Sequence, residues 1–151
     1  IIADEPISAL DVSIQAQVLN LMLEAKDERG LTYLFITHDL SVVQHFGTKV
    51  AVLYLGSVCE LSDTATLFEN PKHPYTRALL SAVPQLKDDH PNHIRLRGEI
   101  PTPINLPQGC PFESRCAHAN SRCQNEKPRP QLQPDGALVA CHAVEEDRLD
   151  G

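Results

Sequence analysis

The chain has 151 residues, 42% of them hydrophobic and only 5% aromatic, with a formal net charge of −7. That size suits one domain, or part of a domain with an appendage, and the acidic balance argues against a nucleic-acid binder, whose affinity comes from Lys and Arg. No run approaches the roughly 20 apolar residues that cross a bilayer, and no signal-peptide pattern opens the chain, so a cytosolic protein with few disulfides is expected.

In chain order, Ile1-Ile2-Ala3 reads as the end of a buried strand. The sequence has no initiator Met and contains only Met22, which suggests a piece of a longer protein. Asp11 is a plausible N-cap for a helix over 12–28, with Ile14, Val18, Leu21, Met22 and Ala25 on one face and Gly30 as the stop. Residues 31–37 form a continuous apolar, β-branched and aromatic run, expected of a strand covered on both faces. A short helix over 40–46 follows, then two strands, 49–55 and 57–61, around a turn at Gly56. Asp63 can cap a helix to residue 68, and Pro74 can open another to about residue 83. The strand, helix, strand order implies an α/β fold with parallel strands flanked by helices. Beyond residue 84 the periodicity fades, while prolines and four of the five cysteines accumulate.

Asp4 and Glu5 are adjacent carboxylates at a strand end, costly if buried without compensation. A magnesium ion on nucleotide phosphates would supply it, because magnesium favours one or two carboxylates and keeps waters. The neighbouring carboxylate could then polarise a water. Two solvated acids would read the same way in isolation. Ser8-Ala9-Leu10-Asp11 follows at once, and Ile36-Thr37-His38-Asp39 comes a strand later.

In this order, Asp-Glu-Pro, Ser-Ala-Leu-Asp and Thr-His-Asp resemble the Walker B motif, D-loop and H-loop of ABC ATPases. The resemblance implies the C-terminal part of a P-loop (RecA-like) domain that uses ATP and Mg2+. It assigns Asp4 to magnesium through water, Glu5 to water activation, and His38 to the terminal phosphate. Ser8 and Asp11 would belong to the D-loop that meets a second nucleotide domain. Ile7 departs from the family, which usually carries Thr there. The sequence contains no phosphate loop, Q-loop or signature motif, so this stretch alone is expected neither to bind ATP well nor to hydrolyse it. A sheet lacking strands would also expose an edge and apolar surface.

Asn70-Pro71-Lys72-His73-Pro74-Tyr75-Thr76-Arg77-Ala78-Leu79-Leu80 is physically a turn and an amphipathic helix. As a string it resembles the segment after the nucleotide domain in dipeptide and oligopeptide importers. Gly98-Glu99-Ile100-Pro101-Thr102-Pro103 has the same likeness. Cys110, Cys116, Cys123 and Cys141 are separated by five, six and seventeen residues. Cys59 stands apart as a small buried residue. Four thiols in a proline-rich segment suggest a metal staple. Their spacing lacks the close pairs usual for zinc and also suits an iron–sulfur cluster or uncommitted thiols.

Gly109-Cys110-Pro111-Phe112 and Arg115-Cys116 resemble the C-terminal cysteine motif of peptide-importer ATPases, which implies a 4Fe–4S cluster, with Zn2+ the alternative. The resemblance divides the chain into a nucleotide-binding part, 1–62, and an irregular Cys-rich extension, 63–151, with its cysteine motif at 110–141. It further implies an ATPase subunit on the inner face of the membrane. Its partners would be a second ATPase subunit, membrane permeases and, indirectly, an external peptide-binding protein. A soluble ABC-type ATPase and a metal-binding or redox-sensing module with a vestigial ATPase are the alternatives.

Overall fold

The computed structural model describes residues 1–83, 93–99, 101–102, 104 and 106–149; Ile100 and Pro103 of the importer-like Gly98 stretch lie outside them. Two compact units, Ile1–Thr48 and Lys49–Gly151, each have a core of their own.

In the first unit, β1 (Ile2–Asp4) and β2 (Leu34–Ile36) pair in parallel, Ile2 opposite Leu34 and Asp4 opposite Ile36. Parallel strands need a long crossover, and α1 (Val12–Arg29) provides it. Asp11 precedes α1 as expected, although its side chain makes no capping hydrogen bond. Gly30 stops the helix at φ 63°, a left-handed conformation that glycine adopts without a Cβ penalty. α2 (Leu40–Phe46) occupies its predicted range, capped by Asp39, whose carboxylate accepts from the Ser41 N–H at 2.9 Å.

Ile7, Leu19, Val42 and Phe46 form this unit's buried core, with Phe35 packed against Phe46 at 4.9 Å between ring centroids. Two sequence expectations fail here. The stripe of α1 that packs on this core is Val18, Leu19, Met22 and Leu23, while Ile14 and Leu21 are exposed. The packed face is rotated toward Leu19 and Leu23, which the predicted face leaves out, so Ile14 and Leu21 fall on the open side. The 31–37 run yields a three-residue strand covered on one face only: alternation turns Phe35 inward and leaves Leu34 60% exposed. Ile2 and Ile36 are exposed beside it, the apolar surface expected of a sheet with few strands.

The second unit starts with the hairpin β3 (Lys49–Tyr54) and β4 (Ser57–Asp63). Leu55 and Gly56 take φ values of 45° and 72°, and positive φ at both turn positions is the geometry of a type I′ hairpin. Val52 faces Glu60 but Leu53 faces Val58, so Cys59 is an extra residue in a β-bulge. The bulge breaks the alternation and buries both Cys59 and Glu60. Short helices α3 (Thr64–Glu69) and α4 (Pro74–Ser81) follow, α4 ending two residues before the predicted limit.

Irregular structure is expected for the cysteine-rich extension, yet it contains short regular elements. They are a 3-10 turn at Glu113–Arg115, α5 (Ser121–Asn125), β5 (Gln131–Leu132), β6 (Leu138–Val139) and α6 (His142–Glu145). The sheet order is β3-β4-β6-β5, all antiparallel, with Val139 opposite Glu60. The hairpin therefore packs with the extension, and the compact units part after Thr48.

Candidate functional site

The first site stands where β1 and β2 end. Open α/β sheets bind ligands outside the carboxyl ends of their strands, and Asp4 is the last residue of β1. Glu5 follows in a left-handed conformation, φ 46°, while its N–H still bonds the Ile36 carbonyl at 2.9 Å. A non-glycine residue held at positive φ stores strain, and such residues cluster at functional sites. The turn directs the carboxylate across to the next strand, where His38 Nδ1 lies 2.7 Å from Glu5 Oε1. Both side chains are accessible to solvent. The hydrogen bond and negative charge of Glu5 raise the His38 pKa above its ordinary value.

Ser8 Oγ donates to the Glu5 carbonyl at 3.0 Å, so the expected D-loop serine fixes the turn under Glu5. Asp11 is exposed at the start of α1, and its carbonyl begins the helical ladder. The structure thus joins Glu5, His38 and Ser8 directly, leaves Asp4 exposed beside them, and sets Asp11 at the far end of the connecting loop. Two residues gain a role that the motifs do not announce. Ile7 is a core residue, which accounts for an apolar side chain at that position. Gln15 donates from Nε2 to the Ile7 and Leu10 carbonyls, both at 3.1 Å, and clips the loop to α1. Its sequence signal is a long amide one turn inside a helix that follows a tight loop.

The second site is the cysteine cluster. Cys110, Cys116, Cys123 and Cys141 are free thiols, as is Cys59. Burial pushes Cys110 and Cys116 up to about 11, and also raises Cys141. Each pair among these four is close enough for one thiolate to raise the pKa of another: Cys110 feels Cys116, Cys123 and Cys141; Cys116 feels Cys123 and Cys141; Cys141 feels Cys123. Cysteines scattered along the sequence have folded to one locality. Among the described residues, however, no three His, Cys, Asp or Glu side chains gather tightly enough to hold a single metal ion.

Backbone contact holds the cluster's halves together. The Cys110 N–H donates to the Cys123 carbonyl at 2.7 Å, and Gly109 makes the approach feasible. A Cβ there would overlap the Cys123 carbonyl oxygen and stand 2.6 Å from the Gln124 carbonyl carbon. Phe112 is buried against Tyr54, Tyr75 and His73, with centroids at 5.3, 5.4 and 5.7 Å. His73 caps α4 by accepting from the Tyr75 N–H at 3.0 Å, and burial lowers its pKa to about 4. Glu60 anchors the same turn, its carboxylate accepting from the Lys72 and His73 N–H groups at 3.0 and 2.9 Å. The importer-like His-Pro-Tyr-Thr string is therefore a buried joint between the hairpin and the cysteine segment.

Residues 59–123 match the family model described as the oligopeptide/dipeptide transporter, C-terminal region. Over these residues the chain is similar to that transporter family. It is 51% identical over 146 residues to the dipeptide transport ATP-binding protein DppF of Haemophilus influenzae, covering 96% of this chain and 45% of that protein. The DppF of Escherichia coli is 52% identical over 153 residues, covering 97% of this chain and 44% of that protein. The putative oligopeptide transport ATP-binding protein YkfD of Bacillus subtilis is 49% identical over 146 residues, with 94% and 44% covered. The chain spans less than half the length of these curated relatives. No helix among the described residues is long and apolar enough to cross a membrane.

Proposed function

We propose that this chain is the C-terminal portion of an ATPase subunit that energises import of dipeptides or oligopeptides through a membrane ABC transporter. Contact between Glu5 and His38, residues 33 positions apart, is the observation that carries the reading. Glu5 polarises the attacking water, and His38, held by that carboxylate, hydrogen-bonds the terminal phosphate. Asp4 suits a magnesium ion bound through water, because one exposed carboxylate with room for waters matches that ion's preference. Ser8 and Asp11 present the loop to a second nucleotide-binding subunit. The likeness of the whole chain to DppF and YkfD supports peptide cargo. Residues 1–62 supply this nucleotide face and 63–151 the importer-type extension. The subunit acts from the cytoplasmic side on permease partners, fed indirectly by an external peptide-binding protein.

The four clustered cysteines are further proposed to hold a 4Fe–4S cluster. Two features of the fold support the fit: the four thiols lie close enough to influence one another, and Gly109 permits the close backbone approach of the Cys110 and Cys123 segments. When bound, the cluster would supply a covalent staple and a one-electron couple. Free thiols with pKa values near 11 stay protonated at neutral pH and react slowly, which weighs against a simple thiol sensor.

In the complete subunit, Glu5→Gln should retain ATP and lose turnover; unchanged hydrolysis would remove Glu5 from its role. Anaerobic purification should yield iron and sulfide together, and zinc without iron would refute the cluster.

A further inference from the structure

Gln15 stands outside every motif, yet it holds one of them. Its backbone N–H donates to the Asp11 carbonyl at 2.8 Å, where α1 begins. From there the side chain folds back along the loop, and Nε2 donates to the Ile7 and Leu10 carbonyls, both at 3.1 Å. A side-chain amide nitrogen has two hydrogens, and these carbonyls use both.

The pinned loop carries Ser8. Inside it, the Ser8 N–H reaches the Glu5 carbonyl at 3.3 Å, and the Leu10 N–H reaches the Ile7 carbonyl at 3.1 Å. Single turn hydrogen bonds of this kind contribute modestly. Ile7 adds an anchor through its side chain, which sits in the buried core, and Gln15 anchors the same residue through its carbonyl. Ser8 lies between the two carbonyls that Gln15 holds, and its Oγ donates to the Glu5 carbonyl at 3.0 Å. Glu5 in turn has φ 46°, a conformation that persists in a non-glycine residue only where the surroundings enforce it. That conformation brings its carboxylate to His38, 2.7 Å away.

We infer that Gln15 is a positioning residue for water activation: by donating to Ile7 and Leu10 it fixes Ser8, and through Ser8 the turn that aims the Glu5 carboxylate. This rests on the role of Glu5 proposed above. Gln15 acts only through Glu5, so its loss falls on turnover and spares ATP affinity.

The test compares substitutions in the complete subunit, with ATP hydrolysis resolved into kcat and KM. Gln15→Glu keeps the length and helix propensity of the side chain, and a carboxylate near a helix N-terminus does not weaken the helix. It replaces both donor hydrogens by an acceptor, which the two carbonyls repel. This variant should lower kcat about tenfold and leave KM for ATP within about twofold. Gln15→Lys, which restores a donor, should recover part of the rate. Gln17→Glu makes the same change at an exposed position of the same helix and should alter neither constant. If Gln15→Glu fails to fold, Gln15→Met removes the donors without adding charge and should show the same loss of kcat. A wild-type kcat in Gln15→Glu, or in Gln15→Met where that variant is needed, would overturn the inference and leave the role of Glu5 standing. So would a change confined to KM, or an equal loss in Gln15→Lys or Gln17→Glu. Unchanged hydrolysis in Glu5→Gln would remove the reading of Glu5, and the inference with it, before any Gln15 variant is compared.

Discussion

Glu5 Oε1 and His38 Nδ1 meet at 2.7 Å across the ends of two parallel strands. The contact depends on an unusual backbone: Glu5 turns left-handed immediately after the last residue of β1, yet keeps its N–H on Ile36. The carboxylate raises the imidazole's proton affinity and fixes which ring nitrogen faces it. The opposite edge of the ring remains available to a ligand.

This pair should be visible in a titration. In the complete subunit the His38 imidazole should titrate above 6.5, and Glu5→Gln should bring it back toward that value. Because the folded-state pKa is raised, the pair's small stabilising effect is present below 6.5 and lost as pH rises through the folded value. Nitrogen-detected NMR of the histidine side chains measures both. Equal His38 titration in wild type and variant would show that the contact does not persist in solution.

His73 should respond to acid in the opposite sense. Its folded pKa is depressed to about 4 by burial, so the unfolded chain takes up a proton first as pH falls below 6.5. Stability contributed by the neutral ring is complete above 6.5 and declines toward pH 4, by on the order of 3 kcal/mol. Urea denaturation at several pH values should show a steeper acid loss in wild type than in His73→Asn, which retains a capping acceptor but does not titrate. Identical slopes would assign the acid sensitivity elsewhere.

Gly109→Ala should disrupt the extension. The added methyl group meets main-chain atoms of Cys123 and Gln124, which cannot rotate away, so the Cys110–Cys123 hydrogen bond must lengthen. A loss of about 1–3 kcal/mol is expected, together with lower iron retention during chelator challenge. Gln108→Ala at the exposed neighbouring position should be silent in both measurements. Full stability and iron retention in Gly109→Ala would mean that the two cysteine segments need no such close approach.

Local chemistry made several of these features readable in the chain itself. Gly30 stops a helix because only a residue without a Cβ takes that conformation cheaply. Asp4, Glu5, Ser8 and His38 were recognisable because short motifs carry them, and Gly56 because a hairpin turn needs its special backbone, while Leu55, read as strand, is the other turn residue. Ile14 and Leu21 show where periodicity stops helping: it defines an apolar stripe, but the neighbour packed on the helix decides which side of it is buried. Glu60 was hidden for another reason. A carboxylate in an alternating strand reads as solvated until the Cys59 bulge turns it inward to meet two N–H groups 12 and 13 residues away.

By itself, then, the sequence determined the order of α and β elements as far as α4, their main turn signals and the motif residues, since all of these depend on neighbours within one turn or one strand. Only the tertiary structure decided that Glu5 reaches His38, that β6 joins the hairpin's sheet, and that the Cys110 N–H meets the Cys123 carbonyl. Each depends on closing a loop between distant segments, and the energy of that closure comes from packing, burial and charge that no local pattern encodes.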